Sequence, residues 1–352
     1  SEDDMRFFRR AGAAVLLAAV LLTTGCGTKP PTDTTDAGNA QTGDGLVEVK
    51  NGLDLPGYYY ENNLTDKAAD PFILYADDTY YLYCTGGSRF SVRQTKYLNA
   101  WPSESKTILT LSALGWAREK GWAPEVYAYN GKYYMIFSAQ GYNDLHAIDI
   151  AVCDTPDGNF KPLSSAPFFA PDYSVIDGSL FFDDDGRIYM YYSKDNSTNT
   201  VGGKRTSQTY GIEVEKDFSG VIGEPVLIST PEQEWELKSG SVVWNEGPVV
   251  FKENGVYYLL YSANYYVSEH YAVGYATSDT PLARFEKPDN ARILRGNGGV
   301  IQAAGIGPKL SQRLADGLRH RRVHPGRGGV IKIMQLGVGK HSTHSSHYCT
   351  KL

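Results

Sequence analysis

The chain is poor in cysteine and methionine and lacks several familiar functional motifs. It contains 4 Cys and 4 Met in 352 residues, and no P-loop, GxGxxG, HExxH or CxxC pattern occurs. These absences remove the usual signatures of nucleotide binding, zinc proteolysis and dithiol redox chemistry. The net charge of −6, without any basic stripe, argues against nucleic acid as a partner. Long apolar stretches of helical period are also missing beyond the N-terminus.

Tyrosine and strand-forming residues dominate what is present. The chain has 26 Tyr and is 41% hydrophobic, 12% aromatic and 21% charged. Tyrosine is favoured in strands, and a chain of this size can bury a full core within one domain. The composition therefore predicts one large all-β domain rather than a helical bundle.

One pattern occurs four times: a carboxylate, a short apolar strand, a polar turn and a Tyr-rich second strand that ends near Ser or Thr. The carboxylates are Asp70, Glu125, Asp177 and Glu246, at intervals of 55, 52 and 69 residues. The turns, which favour hairpins, are Asp77-Asp78, Asn130-Gly131, Asp184-Asp185-Gly186 and Glu253-Asn254-Gly255. A strand-only repeat of about 50 to 60 residues predicts a β-propeller of four-stranded blades. A β-sandwich with similar hairpins is the alternative, although it would not begin each sheet with an acid.

Propeller geometry would give these acids a common location. The first strand of every blade runs along the central channel, so the starts of these strands meet at one mouth of the channel. Four acids at that mouth would form an acidic funnel suited to carboxylate chemistry, to cation binding or to both.

Residues 1–26 are typical of a bacterial signal peptide. A basic start precedes the apolar run Ala11 to Leu22, which is too short to cross a bilayer comfortably. The following Thr24-Gly25-Cys26 is similar to a lipobox and predicts lipidation of Cys26, with an incidental cysteine after an ordinary secretory signal as the alternative. Residues 27–50 are rich in Pro, Thr, Gly and Asp and predict a flexible polar tether. We therefore expect an exported protein that is held at the cell envelope by a lipid anchor in the membrane.

The composition changes abruptly near residue 300. Residues 51–300 are predicted to form the propeller, and up to residue 300 the chain carries 43 of its 44 aromatics and 25 Lys/Arg against 39 Asp/Glu. Residues 301–352 form a basic, His-rich tail with one aromatic, nine Lys/Arg, one acid and five of the seven His. A shift of reading frame best explains so general a change. A basic tail for partners or RNA and a metal site of His341, His344 and His347 are the alternatives.

Four ordered motifs carry a resemblance to a known family. They are the Asp70-Pro71 start, "WAPEV" at 122–126, "VIDGSLFFDDDG" at 175–186 and "NEGP" at 245–248. Over about residues 60–300 the chain resembles glycoside hydrolase family 43, whose members are five-bladed propellers that act mainly on arabinose- and xylose-containing glycans. The related fructan-cleaving propellers carry Arg-Asp-Pro and Glu-Cys motifs where this chain has Ile176-Asp177-Gly178 and Glu246-Gly247-Pro248.

The resemblance implies a role for each matching acid. Asp70 matches the general base, Asp177 the residue that tunes and orients the acid, and Glu246 the general acid of an inverting hydrolysis. Glu125 matches an acidic position that lines the pocket, and Trp122 is a candidate sugar-facing wall or a packed core residue. We therefore expect a glycosidase that acts on a pentose-containing oligo- or polysaccharide. A catalytically inactive glycan-binding propeller and a fructan hydrolase on the same fold are the alternatives.

The chain departs from the family pattern at the fifth blade. That blade normally begins near a Gly-x-Gly-His motif whose His lies at the channel axis, often near a metal ion. Here "LRGNGGVIQAAGIGP" occupies the corresponding place, and the next His is His320 in the basic tail. We therefore expect an incomplete fifth blade, no required cofactor and no predicted metal ligand, since the histidine that would support a structural calcium ion in the channel is missing.

Overall fold

The computed structural model describes residues 68–96 and 101–295, together with the backbone of three short strands outside them. Two of these three are β1 (Ala40–Gln41) and β2 (Val47–Glu48), which pair antiparallel within the stretch predicted as a tether. The described part contains no α-helix, only the 3-10 turns η1 (Leu111–Ala113) and η2 (Glu234–Leu237). The predicted all-β class is confirmed.

Sixteen of the remaining strands form four successive antiparallel blades of four strands, and neighbours in each blade follow one another along the chain, except that one short strand intervenes in blade three. Blade one contains β3 (Phe72–Ala76), β4 (Thr79–Cys84), β5 (Arg89–Thr95) and β6 (Lys106–Thr110). Blade two contains β7 (Ala117–Tyr129), β8 (Lys132–Gly141), β9 (His146–Cys153) and β10 (Lys161–Pro162). Blade three contains β11 (Val175–Phe182), β12 (Ile188–Lys194), β14 (Lys204–Val214) and β15 (Val221–Ser229), and β13 (Thr200–Val201) pairs with β14. Blade four contains β16 (Val242–Glu253), β17 (Val256–Ala263), β18 (Ala272–Ser278) and β19 (Arg292–Arg295).

The first strands of the blades lie next to one another. β3 contacts β7, β7 contacts β11, and β11 contacts β16. A short parallel pairing of residues 205–207 with residues 242–244 also joins blade three to blade four. Successive sheets whose first strands meet in order are the arrangement of a propeller, not of two sheets packed face to face.

The predicted hairpin turns are confirmed in conformation as well as in position. Both central residues have a positive φ in three of the four turns, as type I′ hairpins require. These residues are Asp77 and Asp78 (47° and 53°), Asn130 and Gly131 (46° and 73°), and Asn254 and Gly255 (51° and 81°). Asp, Asn and Gly tolerate this region at little cost, so the turn chemistry written in the sequence sets the register of each first hairpin.

Tyrosines of the second strands fill the spaces between blades. The largest fully buried side chains include Tyr83 of β4, three tyrosines of β12 and Tyr261 of β17. One apolar cluster joins blades one, two and three, and a second joins blades three and four. The abundance of tyrosine is therefore explained mainly by packing between blades, because each large ring spans the gap between neighbouring sheets.

The third short strand, β20 (Gly305–Ile306), lies between the two ends of the array of blades. It pairs parallel with Phe72–Ile73 of β3 and also contacts β16. This is the position in which a fifth blade would place its innermost strand. The rest of the predicted tail, the predicted signal peptide with Cys26 and most of the predicted tether lie outside the described residues. No helix in the described ranges is long and apolar enough to cross a membrane.

Candidate active site

Each blade has, just before or within its first strand, a residue in the left-handed backbone conformation that is followed by Pro or Gly. These residues are Asp70 (φ 49°), Ala123 (46°), Asp177 (56°) and Gly247 (58°). Such a conformation is costly for a residue with a side chain, roughly 1–3 kcal/mol, and is commonly found at functional sites. The repeat is therefore centred on this backbone feature, and the acids are placed at different offsets from it.

Only two of the four predicted acids occupy the left-handed position itself. Asp70 and Asp177 do so, whereas Glu246 lies one residue before it and Glu125 two residues after it. The strand registers of β7, β11 and β16 also shift at this point. A bulge of this kind re-aims a side chain. The local backbone thus turns acids at unequal sequence offsets toward one place.

Asp177 lies at the junction of blades three and four. Its Oδ2 accepts hydrogen bonds from the backbone N–H of Gly247 at 3.0 Å and from Ser193 Oγ at 3.4 Å. Burial, followed by the negative charge of Asp70, raises the pKa of Asp177 to about 7. The bond to Gly247 fixes Asp177 against the residue that directly follows Glu246.

Asp70 is held in place across the junction of blades one and two. Its Oδ2 accepts a hydrogen bond from Thr85 Oγ1. The same Thr85 oxygen accepts the N–H of Ala123 at 2.8 Å, which orients the hydroxyl toward the acid. Burial raises the pKa of Asp70, and the hydrogen bond from Thr85 opposes that rise.

Among the three predicted catalytic acids, Glu246 is the one whose pKa is raised most strongly. Burial is the largest cause, followed by the negative charges of Asp177, Asp70 and Asp195, and together they hold the pKa of Glu246 well above its usual range. The hydroxyl of Tyr271 donates to Glu246 Oε1 at 3.2 Å and partly offsets this rise. Glu246 is only half-buried, so its proton is available from the mouth.

Glu125 shares a small pocket with two of the predicted catalytic acids, whereas Glu246 is not among the residues that line it. Glu125, Asp70 and Asp177 line one small pocket. Burial raises the pKa of Glu125 to about 8, and its Oε2 accepts a hydrogen bond from Tyr127. Such a carboxyl is neutral at neutral pH.

Trp122 is half-buried and is not among the residues that line this pocket. Its ring stacks on His146 with centroids 4.4 Å apart and planes 23° apart. Burial lowers the pKa of His146 to about 4, so the stack is between two neutral rings near pH 7. The role of Trp122 as a sugar-facing wall stays a prediction.

The sequence reasoning missed the hydroxyls that hold the acids. Ser or Thr recurs at the end of each second strand, and the structure gives that pattern a meaning. Thr85 bonds Asp70, Ser193 bonds Asp177, and Ser262 lies opposite Glu246 in the strand register. The repeated Ser/Thr after each Tyr-rich strand was the signal that could have identified them.

Two further residues of the mouth carried a weaker signal. Asp195 follows β12 directly, and its charge raises the pKa of Asp177 and of Glu246. Tyr271 is almost fully buried at the end of the loop that leads into β18. Neither stands at the start of a repeat, so only the folded chain brings them to the acids.

The acids of the mouth are not arranged as a metal site. Within residues 68–96 and 101–295, no group of three or more His, Cys, Asp and Glu side chains could hold a metal ion. The donors around the carboxylates are instead hydroxyl and backbone N–H groups, which suit protonated or singly charged carboxyls.

Comparisons with known proteins agree with this geometry. A sequence model of the family described as glycosyl hydrolases family 43 matches residues 61–306. A β-D-galactofuranosidase of Aspergillus niger is 27% identical over 71% of this chain and 69% of its own length. An extracellular exo-α-(1→5)-L-arabinofuranosidase of Streptomyces chartreusis is 28% identical over 62% of this chain and 67% of its own length.

The fold is similarly matched among solved structures. The crystal structure of a thermostable family-43 glycoside hydrolase is 39% identical, with a TM-score of 0.62. The similarity covers 66% of this chain and 77% of that one.

Proposed function

Because this chain belongs to glycosyl hydrolase family 43, we propose that it releases terminal pentose residues from arabinose- or xylose-containing glycans by a single displacement with inversion. The observation that carries the proposal is the group formed by Asp70, Asp177 and Glu246. These three acids come from three blades, are coupled electrostatically, and have raised pKa values in one channel mouth. Membership of family 43 also removes the fructan-hydrolase alternative.

The surroundings of the acids differ in what they do to each proton. Burial raises the pKa of Asp70, and the hydrogen bond from Thr85 lowers it. Asp177 additionally feels the charge of Asp70, and Glu246 feels the charges of both. The charges of Asp70 and Asp177 favour the protonated form of Glu246, whereas the hydroxyl of Thr85 stabilises the ionised form of Asp70. An ionised base and a protonated acid require this difference.

The reaction then follows from these protonation states. Asp70 takes a proton from water as the water oxygen bonds to the anomeric carbon. The bond from that carbon to the leaving-group oxygen breaks, and this oxygen takes the proton of Glu246. Asp177 stays near the acid, where its charge keeps Glu246 protonated until the leaving group needs the proton.

Terminal cleavage fits the small pocket that Asp70, Glu125 and Asp177 line together with Gly247, which follows Glu246 in sequence. The pocket lies among the left-handed turns of the first strands, with Pro71, Gly178 and Pro248 in its wall. The arabinofuranosidase relative is named as exo-acting, which supports the same mode here. The galactofuranosidase relative makes a hexofuranose the competing substrate to test.

The test is hydrolysis followed directly by proton NMR. We expect the full chain to release sugar from aryl α-L-arabinofuranoside or β-D-xyloside faster than from β-D-galactofuranoside. The first-formed sugar should have the inverted anomeric configuration. Retained configuration would overturn the role of Asp70 as a base. Glycan binding without any hydrolysis would instead support the inactive, glycan-binding alternative.

Export and lipid attachment at Cys26 are a separate part of the proposal. They are supported by the basic start, the apolar run and the lipobox-like Thr24-Gly25-Cys26, and by a relative that is named extracellular. Labelling with a fatty-acid analogue in a bacterial host should mark the wild type and not Cys26→Ala. An unlabelled wild type would contradict the anchor and leave the enzymatic proposal untouched.

A further inference from the structure

Three aromatic side chains form a cluster beside the general acid on blade four. The rings of Trp244 and Tyr265 stack with centroids 5.6 Å apart and planes at 30°. Tyr265 meets Tyr266 edge-on at 5.0 Å and 71°. We call Trp244, Tyr265 and Tyr266 the aromatic rim.

Strand alternation places the rim on the same side as Glu246. Side chains two positions apart on a strand face the same side. In β16, Val242, Trp244 and Glu246 are half-buried, whereas Val243 and Asn245 are buried. The register shift comes only after Glu246, so the alternation is regular up to that point. Trp244 therefore faces the side of Glu246, one step nearer the start of the strand.

The loop that carries Tyr265 and Tyr266 also reaches the acid. This loop joins β17 to β18, and its last residue is Tyr271. The hydroxyl of Tyr271 donates to Glu246 Oε1 at 3.2 Å. The rim is thus connected to the acid along two chain segments, through Trp244 on the strand and through Tyr271 on the loop.

A buried asparagine braces this loop. Asn264 is fully buried, and its Nδ2 donates to the carbonyls of Trp235 at 2.7 Å and His270 at 3.0 Å. Its Oδ1 accepts the N–H of Lys238 at 3.0 Å. These bonds tie the two ends of the loop to each other and to the preceding segment. The rim is therefore ordered in advance, which reduces the entropic cost of binding a ligand.

The rim is also an unusual concentration of exposed apolar surface. Eight large hydrophobic side chains are exposed in the described ranges, and three of them are consecutive on this loop. They are Tyr265, Tyr266 and Val267, with 41%, 38% and 50% of their surfaces exposed. Contiguous exposed apolar surface commonly marks a binding site.

We infer that the aromatic rim binds the sugar residues on the leaving-group side of the scissile bond. This rests on the proposed function, in which Glu246 protonates the leaving-group oxygen, so that the surface next to Glu246 lies against the leaving group. A sugar ring can place its apolar C–H face on an aromatic ring while its hydroxyls remain in water. The rim therefore favours oligosaccharide substrates over substrates with a small leaving group.

The test compares two substrates in the full chain. One is xylotriose or α-1,5-linked arabinotriose, and the other is the glycosyl fluoride of the same pentose, which has no leaving-group sugar. In Tyr265→Ala, the ratio of kcat/KM for the trisaccharide to kcat/KM for the fluoride should fall about three- to tenfold. Tyr75→Ala is the control, because Tyr75 is 37% exposed beside the hairpin turn of blade one, at the end of β3 away from Asp70, and should leave the ratio unchanged.

An unchanged ratio in Tyr265→Ala, or the same fall in Tyr75→Ala, would overturn the inference. If the wild type hydrolyses no pentoside, the proposed function fails, but the rim is still tested by calorimetric titration with the same trisaccharide. In the Glu246→Gln background, Tyr265→Ala should weaken trisaccharide binding by a similar factor. Binding that is absent, or unaffected by Tyr265→Ala, would show that the rim is not a glycan site.

Discussion

The acids of the mouth and one buried glutamate, Glu236, have opposite surroundings. In the mouth, Asp177 and Glu246 have no Lys or Arg within ion-pair distance among the described residues, and their neighbours include other acids. Behind the start of β16, Glu236 contacts Lys287 Nζ at 2.6 Å. All three carboxyls belong to the same half of the molecule, so the difference lies in the partners that each one has.

The Lys287–Glu236 pair is embedded in a network that satisfies both charges. Lys287 Nζ also donates to the carbonyl of Thr230 at 2.7 Å and to Asn245 Oδ1 at 2.9 Å. Asn245 Nδ2 donates to Glu236 Oε1 at 3.0 Å, and the ammonium lies 4.7 Å from the centre of the Tyr261 ring. Asn245 directly precedes Glu246, so this network fixes the strand that carries the acid.

The opposite pKa directions express this contrast. Burial would raise the pKa of Glu236, but Lys287 and backbone N–H donors outweigh it and the pKa is lowered. Burial lowers the pKa of Lys287 while Glu236 opposes it. The short contact and the additional acceptors favour the ionised pair, because a buried charge is tolerated when it is paired and hydrogen-bonded.

Asp177 and Glu236 change the free energy of unfolding with pH in opposite directions. A carboxyl whose pKa is raised by folding holds its proton more tightly in the folded state. Asp177 therefore makes the folded state progressively less favoured as pH rises from about 4 to about 7. Glu236 acts in the reverse sense, because its lowered pKa contributes stability above its unfolded pKa that is lost as pH falls through the folded value. The clustered carboxyls of the mouth therefore lower the stability of the folded state, and the fold itself does not require them.

The largest expected effect is on catalysis at Glu246. Glu246→Gln should lower kcat on a pentoside with a poor leaving group by about 10²- to 10⁴-fold, since proton donation to the leaving group is lost. Turnover of a glycosyl fluoride should fall far less, because fluoride needs little protonation. The melting temperature should stay the same or rise, since a half-buried carboxyl near other acids is replaced by a neutral group.

Glu224→Gln on the exposed part of β15 is the control and should change neither activity nor melting temperature. Equal loss on both substrates in Glu246→Gln would remove Glu246 from the role of general acid. A large fall in melting temperature would instead place Glu246 with Glu236, as a structural residue.

The next effect is on stability at Lys287. Lys287→Met should lower the free energy of unfolding by about 3–5 kcal/mol, because Glu236 would remain buried without its cation. The matched control is Lys238→Met, which removes an exposed pair with Glu234 at 2.6 Å and should cost far less stability than Lys287→Met. Denaturant unfolding measures both.

The double variant Glu236→Gln/Lys287→Met should recover part of the lost stability, since no charge is then left unpaired. Equal and small effects of Lys287→Met and Lys238→Met would show that the buried pair is worth no more than a surface pair, and the contrast between the two groups of acids would disappear.

Much of the fold and part of the site could be predicted because they repeat. Asp70, Asp177 and Glu246 each stand at the start of a recurring unit, and the Asn-Gly and Asp-Asp turns report the hairpins directly. The family match confirms the resemblance that these motifs carried. Local sequence therefore predicts the features that each blade forms from its own residues.

The remaining features depend on contacts that occur once. Lys287 lies between β18 and β19, and its partner Glu236 is 51 residues away in sequence. Tyr271 reaches Glu246 over 25 residues, and Asp195 acts on the other acids only through its charge. Such pairs depend on how blades three and four pack, which no single segment of the sequence contains.

A smaller effect is expected on the pH dependence when Asp177 is neutralised. The charge of Asp177 raises the pKa of Glu246, so Asp177→Asn should lower that pKa. The alkaline limb of the kcat/KM profile reports loss of the proton from the acid, and it should move to lower pH. An alkaline limb that stays in place would mean that Asp177 does not tune Glu246.

The smallest effect is expected when the hydrogen bond from the neutral hydroxyl of Tyr271 to Glu246 is removed. Its hydroxyl donates to Glu246 Oε1 and lowers the pKa of that carboxyl. Tyr271→Phe should therefore move the alkaline limb to higher pH by about one unit or less, opposite to Asp177→Asn. Tyr191→Phe is the control, because Tyr191 is fully buried and donates to the carbonyl of Pro281 at 2.8 Å instead. If both tyrosine variants lose stability and neither moves the limb, Tyr271 is a packing residue, and the mouth acids are tuned by charge and burial alone.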